Sequence, residues 1–354
     1  MSFMTGQMPL VPPKPSGGER DGTVRVAALG GGHGLSASLA ALRRLTTEIT
    51  AIVTVADDGG SSGRLRRELD VLPPGDLRMA LAALCDDTDW GRTWRDVMQH
   101  RFTSKKDSEG ALDNHALGNL LIVTLWELLG DPVAGLRWAG ALLGARGQVL
   151  PMSTVPLTIS GEVLTQGDND TLMRRRVVGQ AELAVAGHRG IVNGVELSPA
   201  DAPACREALE AIELADWVIL GPGSWYTSVL PHLLLPEMRE AIEATTARRL
   251  LTMNLATETK ETFGMDAADH LDVIARYAPD LRLDAVLADP SSIDDVQRFR
   301  DAAARLGARC FFGKVGVGAG RAVHAPLRLA TAYQDVFSSF DPNDPSSEEH
   351  KTWH

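Results

Sequence analysis

At 354 residues and 44% hydrophobic, the chain can bury one large core or two smaller ones. A net charge of −11 argues against a broad nucleic-acid surface, which needs a basic excess, but not against a local basic pocket for phosphates. Three widely spaced cysteines, Cys85, Cys205 and Cys310, suit a reduced cytoplasm and make no zinc motif. No apolar run approaches the ~20 residues of a membrane span, and the N-terminus lacks the apolar core of a secretory signal.

Residues 1–22, rich in Pro, Gly and charge, read as a disordered arm. From residue 23 to 337 short apolar runs alternate with amphipathic segments. That pattern implies a single α/β domain with a mainly parallel sheet. Strands are expected at 24–29, 49–55, 217–220, 250–254 and 285–288, each nearly continuous in apolar residues, as in strands covered on both faces. The region 77–146 reads as a helical layer, with helices at 77–85, 93–102 and 119–129. Around 152–166, Pro151, Pro156 and Gly161 interrupt β-rich runs at 155–159 and 162–165, which suggests an antiparallel excursion or edge hairpin. Residues 338–354 read as a polar tail.

The first expected strand runs into Gly30-Gly31-Gly32-His33-Gly34-Leu35-Ser36 and then into a helical pattern. A glycine-rich strand–helix turn brings backbone N–H groups and the positive helix end to a phosphate. Gly32-His33-Gly34-Leu35-Ser36-Ala37 also fits the G-x-G-x-x-A dinucleotide fingerprint, with Asp57 following the second strand. A tight turn with no ligand is the plainer alternative. The second strand ends in Ala56-Asp57-Asp58-Gly59-Gly60-Ser61-Ser62-Gly63-Arg64. Asp57 and Asp58 are the candidate catalytic pair and candidate Mg²⁺ ligands. Gly59, Gly60 and Ser61 offer backbone and hydroxyl donors, and Arg64 offers a phosphate charge. In Pro73-Pro74-Gly75-Asp76-Leu77-Arg78, Asp76 is either a helix N-cap or a ligand-facing acid. Arg78 falls in a first helical turn, where a cation is disfavoured unless an anion sits nearby.

Asn114-His115-Ala116-Leu117-Gly118-Asn119 precedes an apolar helix. Asn119 suits a cap or a ligand contact, and His115 is equally a core, capping or site residue. Arg174-Arg175-Arg176 is most simply a solvated face. Gly221-Pro222-Gly223-Ser224-Trp225-Tyr226-Thr227-Ser228 repeats the strand–glycine turn–helix pattern. Gly221, Gly223, Ser224 and Thr227 make a second candidate anion site, able to clamp a diphosphate against the first turn. Tyr226 and Trp225 could stack on a base or sugar, or simply pack. Asn254 ends a strand and is expected to face the same crevice, while Asp269 and His270 read as surface or capping residues.

Together these motifs resemble the CofD/YvcK-like superfamily, and its YvcK branch of gluconeogenesis factors most. The matching strings are GGGHGLSASLAALR, ITAIVTVADDGGSSGRLR, PPGDLRMALAAL, HALGNLLIVTLWEL, VILGPGSWYTSVLPHLLLPEM and NLATETKETFGMDAADHLDVI. The resemblance implies a three-layer Rossmann-like fold, usually dimeric, in the cytoplasm. The YvcK branch binds UDP-sugars, notably UDP-N-acetylglucosamine, and links carbon supply to cell-wall synthesis and cell shape, with no firmly assigned turnover. The CofD branch transfers a phospholactyl group from a nucleotide diphosphate donor to a deazaflavin with Mg²⁺. Carried over, the nucleotide-sugar contacts fall on Gly31, Gly32, Gly34, Asp57, Asp58, Ser61, Arg64, Asn119, Gly223, Ser224 and Asn254. The chain departs from the branch at His33, where Thr is usual, at Phe299, where Tyr is usual, and at Arg321–Pro326, where an Arg-His-Asp pattern is altered. A UDP-sugar-binding regulator with a cell-wall partner is the leading expectation. A CofD-like transferase is the alternative, and a nicotinamide oxidoreductase is the weakest reading.

Overall fold

The computed structural model describes residues 23–104, 110–166, 172–187, 190–256, 262, 264–318 and 321–341. The expected arm at 1–22, residues 342–354 of the expected tail and residues 257–261 of the Asn254 motif lie outside the described residues.

The chain opens with β1 (Val26–Gly30), α1 (Gly32–Leu42) and β2 (Ile49–Val53). A helical run comes next: α2 (Gly60–Leu69), α3 (Gly75–Leu84), α4 (Asp89–Gln99), α5 (Leu117–Leu129) and α6 (Pro132–Leu143). Strand β3 (Gln148–Pro151) closes this half. A small excursion holds β4 (Thr158–Gln166), β5 (Leu172–Val178), α7 (Gln180–Gly187) and β6 (Gly190–Ser198). The second half runs α8 (Arg206–Leu214), β7 (Trp217–Leu220), a π-helical turn (Trp225–Val229), α9 (Pro231–Leu234), α10 (Pro236–Ala244) and β8 (Arg248–Thr252). It ends with α11 (Ala267–Tyr277), β9 (Ala285–Ala288), α12 (Val296–Arg305), β10 (Arg309–Phe312) and α13 (Pro326–Ser338).

Seven strands form one parallel sheet in the order β10-β9-β8-β7-β1-β2-β3. The inner strands are apolar and closed to solvent on both faces; every residue of β1, β7 and β9 is buried. Helix α1 packs on α3 and α13, while α8 lies against β2 and β3. The order leads from β1 to β3 in one direction and from β7 to β10 in the other, so crossovers of the usual right hand would put their helices on opposite faces. The result is the expected helix–sheet–helix layering. Among the described residues, no helix is long and apolar enough to cross a membrane.

Both sheet edges, β3 and β10, fall outside the expected strands. β10 is partly exposed along its length and its apolar run is only Cys310-Phe311-Phe312. β3 is four residues long and ends in Pro151, which an edge tolerates because the missing N–H leaves no ladder partner wanting. Helix α6 is likewise additional to the expected helices. It is bounded by an Asp131 side chain that accepts from Val133 N–H, a proline in its first turn and a left-handed Gly144.

The antiparallel excursion is present, but not as a local hairpin between the two runs at 155–166. Those runs fuse through Gly161 into β4, which pairs with β5 on one side and β6 on the other. Helix α7 packs across β4 and makes the fusion possible, because the flat backbone at Gly161 receives Leu183. Arg174, Arg175 and Arg176 lie exposed on β5, the solvated face expected of them.

Candidate functional site

The sheet order reverses between β1 and β7. In open α/β sheets this switch point opens a crevice at the carboxyl ends of the strands, where ligands bind. The loops leaving β1 and β7 are the two glycine turns. They touch each other directly: a Cβ on Gly34 would overlap the Pro222 carbonyl, so only glycine allows the contact. The contact leaves no space between the two turns at that point.

Gly31 is the N-cap of α1, in extended conformation and with no side chain of its own to cap the helix. The first turn is capped instead by Asp76, which accepts from the Gly32 N–H. A Cβ on Gly31 would lie 2.5 Å from Asp76 Oδ2 and from Thr54 Oγ1, so a side chain here would displace that carboxylate. Asp76 is thus not the cap of its own helix. Pro74 holds that position in α3, and Asp76 sits in the first turn aimed back at α1. Close packing on most sides, together with the nearby charge of Asp57, pushes its pKa up to about 6.

Asp57 stands on the far side of the same cavity. Burial raises its pKa, against the Gly59 N–H and the Ser62 hydroxyl, which donate to it and stabilise the charge. Asp58, expected to act beside it, is turned away: its Oδ1 accepts from Ala181 N–H at 3.1 Å, at the start of α7. Asp57 shares its cavity with Asp76, nineteen residues on in sequence, whereas Asp58 does not line it.

A cavity of about 230 Å³ joins Asp57, Asp76, Ser61, Asn119, Arg78 and Arg101. Its floor is a buried polar chain. His115 Nδ1 lies 3.0 Å from Ser61 Oγ, Asn119 Nδ2 donates to Ser61 Oγ at 3.0 Å, and Arg78 Nε donates to Asn119 Oδ1 at 2.9 Å. Burial, followed by the Arg64 charge, holds the pKa of His115 below its ordinary value, so the neutral ring is the form this chain favours. The Arg78 guanidinium is 3% exposed, and its Nη1 is buried with no partner. Among the described residues neither Arg78 nor Arg101 makes an ion pair. An anion is the partner this corner lacks.

Other expected residues play supporting roles. Gly59 and Gly60 start α2 and line the cavity. Arg64 is directed to the Asp113 carbonyl at 2.5 Å, away from the cavity. His33 is exposed at the α1 N-terminus and lines a second, larger cavity beside the first. In the second turn, Asn254 binds Gly223 twice, accepting from its N–H at 2.9 Å and donating to its carbonyl at 2.7 Å. It therefore holds the Gly221–Gly223 turn in shape rather than presenting its amide to a ligand.

At this second turn the strand–turn–helix pattern is present, but the helical part is short and irregular. The chain continues there into a five-residue π-helical turn and the four-residue α9, and Ser224 Oγ accepts from Thr227 N–H at 3.3 Å and from Thr227 Oγ1 at 2.6 Å. No long helix dipole points at a ligand there. Tyr226 and Trp225 are each 1% exposed. The Tyr226 hydroxyl donates to the Val192 carbonyl at 3.4 Å and Trp225 Nε1 to the His270 carbonyl at 3.1 Å, so both rings pack and neither is offered for stacking. Asp269 completes a capping box with Asp266, as a capping reading expects. Phe299 is buried on α12 against Phe312, and His324 is buried with its backbone bridged to Gly316.

Among the described residues no group of three or more His, Cys, Asp or Glu side chains could hold a metal ion alone. The Asp57–Asp76 pair does suit Mg²⁺, which takes one or two carboxylates and completes its shell with water and substrate phosphate. Burial is the main cause that raises the pKa of both carboxyls, and the charge of Asp57 adds to the shift at Asp76.

A doubly wound parallel sheet with its polar crevice at the switch point defines a Rossmann-like ligand-binding protein. Residues 26–306 match the family model for 2-phospho-L-lactate transferase CofD. The putative gluconeogenesis factor of Mycobacterium tuberculosis H37Rv is 48% identical over 314 residues, spanning 88% of this chain and 90% of that protein. The gluconeogenesis factor of Bacillus subtilis 168 is 37% identical over 271 residues, spanning 77% and 80%. The crystal structure of a UPF0052-family protein from Bacillus halodurans superimposes with a TM-score of 0.77 at 36% identity, covering 88% of this chain and 99% of that one. The chain belongs to the CofD/YvcK family, with gluconeogenesis factors as its relatives.

Proposed function

We propose that this protein binds a nucleotide sugar of the UDP-N-acetylglucosamine type at the switch-point crevice. It acts as a cytoplasmic, homodimeric regulator that couples carbon supply to cell-wall synthesis and cell shape through a partner protein. The observation that carries the reading is the convergence of the α1 N-terminus, the Asp57–Asp76 pair and the unpaired Arg78 on one crevice. A diphosphate is the chemical group that uses all three. It meets helix N–H groups on one side and a cation on the other, and Mg²⁺ held by Asp57 and Asp76 would supply the positive charge facing its oxygens. Ser61 and Asn119 line the adjoining cavity and are suited to sugar hydroxyls.

Calorimetric titration of the full chain with UDP-N-acetylglucosamine, NAD⁺ and GTP, with and without Mg²⁺, tests this reading. The expected result is saturable, Mg²⁺-assisted UDP-sugar binding that weakens at least about tenfold on Asp57→Ala, a loss of ~1.4 kcal/mol. Silence toward the UDP-sugar with binding of NAD⁺ sinks the proposal. The Asp57–Asp76 pair also favours a second reading, a CofD-like Mg²⁺-dependent transferase. Product formation from a nucleotide–phospholactate donor and a deazaflavin would select it.

A further inference from the structure

A cavity of about 610 Å³ lies between α1, α3 and α4, joined to the first through Arg78 and Arg101. Four arginines line it: Arg43, Arg78, Arg95 and Arg101. His33 stands at its edge, and the rest of its wall is mostly small apolar side chains of α1 and α3. The volume falls in the range of small-molecule sites. Two of its cations are almost wholly buried, Arg78 at 3% and Arg43 at 9% exposure, and each has a buried nitrogen without a partner, Nη1 of Arg78 and Nε of Arg43.

The carboxylates nearby neutralise this charge only in part. Arg43 Nη2 donates to Asp87 at 2.8 Å, an acid that also pairs with Arg44. Asp96 lines the cavity and lies 3.9 Å from Arg95, at the long limit of an ion pair. Arg101 spends one nitrogen on the Asn114 carbonyl at 2.9 Å. Burial and the repulsion of Arg101 together lower the pKa of Arg78 to about 10. Like charges held side by side with unpaired donors call for an oxyanion.

We propose that this arginine-lined cavity is a second ligand site, built for a small molecule that carries its own oxyanion, a phosphate monoester or a polycarboxylate. The inference rests on the nucleotide-sugar reading in one respect. A nucleotide sugar concentrates its negative charge on the diphosphate, and that group is committed to the glycine turn, the Asp57–Asp76 pair and Arg78. Its nucleoside and hexose are neutral and give Arg43, Arg95 and Arg101 nothing to bind. Arg78 reaches both cavities, so it is the side chain through which occupancy of one site is felt at the other.

The full chain is titrated with inorganic phosphate, glucose 6-phosphate and citrate, alone and with UDP-N-acetylglucosamine at saturation. The same titrations are repeated on Arg95→Glu and Arg95→Ala, changes at a half-exposed residue that lines only the larger cavity. At least one of the three anions is expected to bind saturably below ~10 mM, with the UDP-sugar present as well as absent. Arg95→Glu should weaken that anion at least about tenfold, Arg95→Ala less, and the UDP-sugar by under about twofold. The anion that binds most tightly separates the monoester from the carboxylate source. The proposal is overturned if none of the three binds, if binding ignores Arg95→Glu, or if the UDP-sugar displaces the anion, which would make the cavity part of the nucleotide-sugar site. Arg95-dependent anion binding in a protein silent toward the UDP-sugar removes the nucleotide-sugar reading and keeps the anion site.

Discussion

Replacing Asp76 by asparagine should stabilise the ligand-free protein and weaken its Mg²⁺-assisted binding. Asp76 titrates at about 6 in the fold against an ordinary 3.8. Its folded-state pKa is the higher one, so the native protein holds this proton more tightly than the unfolded chain does. Stability contributed by this group therefore falls as pH rises from about 4 to about 6, and the whole cost stands above pH 6. Two pH units correspond to ~3 kcal/mol. The carboxylate keeps one edge open to the cavity, and solvent there reduces the penalty. Asparagine also accepts less strongly from the Gly32 N–H. A net gain of ~1–2 kcal/mol at pH 8 remains, or roughly 1–3 °C in melting temperature for a chain of this size. At pH 4.5 the gain should shrink to about a third of this, and it should vanish only below the ordinary 3.8. Thermal and urea melts at the two pH values, with Mg²⁺ chelated, measure it, and calorimetry with Mg²⁺ and the UDP-sugar measures the loss of affinity. A variant that is less stable at pH 8 and binds as well as the parent would refute the assignment of Asp76 as a charge stored for a ligand.

Three further outcomes are expected from the same geometry. Gly34→Ala forces a methyl group into the Pro222 carbonyl and should cost ~2–4 kcal/mol in a chemical melt, with UDP-sugar affinity falling as the two turns part. Asn254→Ala removes both hydrogen bonds to Gly223. The expected loss is ~1–2 kcal/mol of stability, and unchanged stability would show that the turn holds itself. Asp58→Ala frees the first turn of α7 and should cost ~0.5–1 kcal/mol while leaving Mg²⁺-assisted binding intact. Loss of binding equal to that of Asp57→Ala would restore the adjacent pair as the ligand-facing carboxylates.

The α/β class, the inner strands and the place of both glycine turns are legible in the sequence because each rests on local signals. A strand buried on both faces must be apolar throughout, as β7 and β9 are. A backbone turning sharply between strand and helix must be glycine-rich, as after β1. The edge strands carry a weaker signal, since each is only four residues long and opens on an exposed polar residue, Gln148 in β3 and Arg309 in β10. The resemblance covers the body of the chain because its motifs are long strings in a fixed order.

The site itself was only partly legible. Asp57, Ser61, Asn119 and Arg78 can be picked out one by one, but their grouping depends on α3 and α5 packing together beside the start of α2. Side-chain direction likewise escapes linear reading. Asp58 comes directly after Asp57 and faces the other way, Asp76 looks like a cap for α3 and instead caps α1, and Tyr226 points into the core although it lies just past a glycine turn. The sequence alone determined which segments become strands and that a phosphate-type turn ends the first of them, because hydrophobic period and glycine content act over a few residues. Only the tertiary structure decided that Asp57 pairs with Asp76, that the two turns meet, and that four arginines surround one cavity. Those relations join residues many positions apart, and the packing of α1, α3 and α4 brings them together.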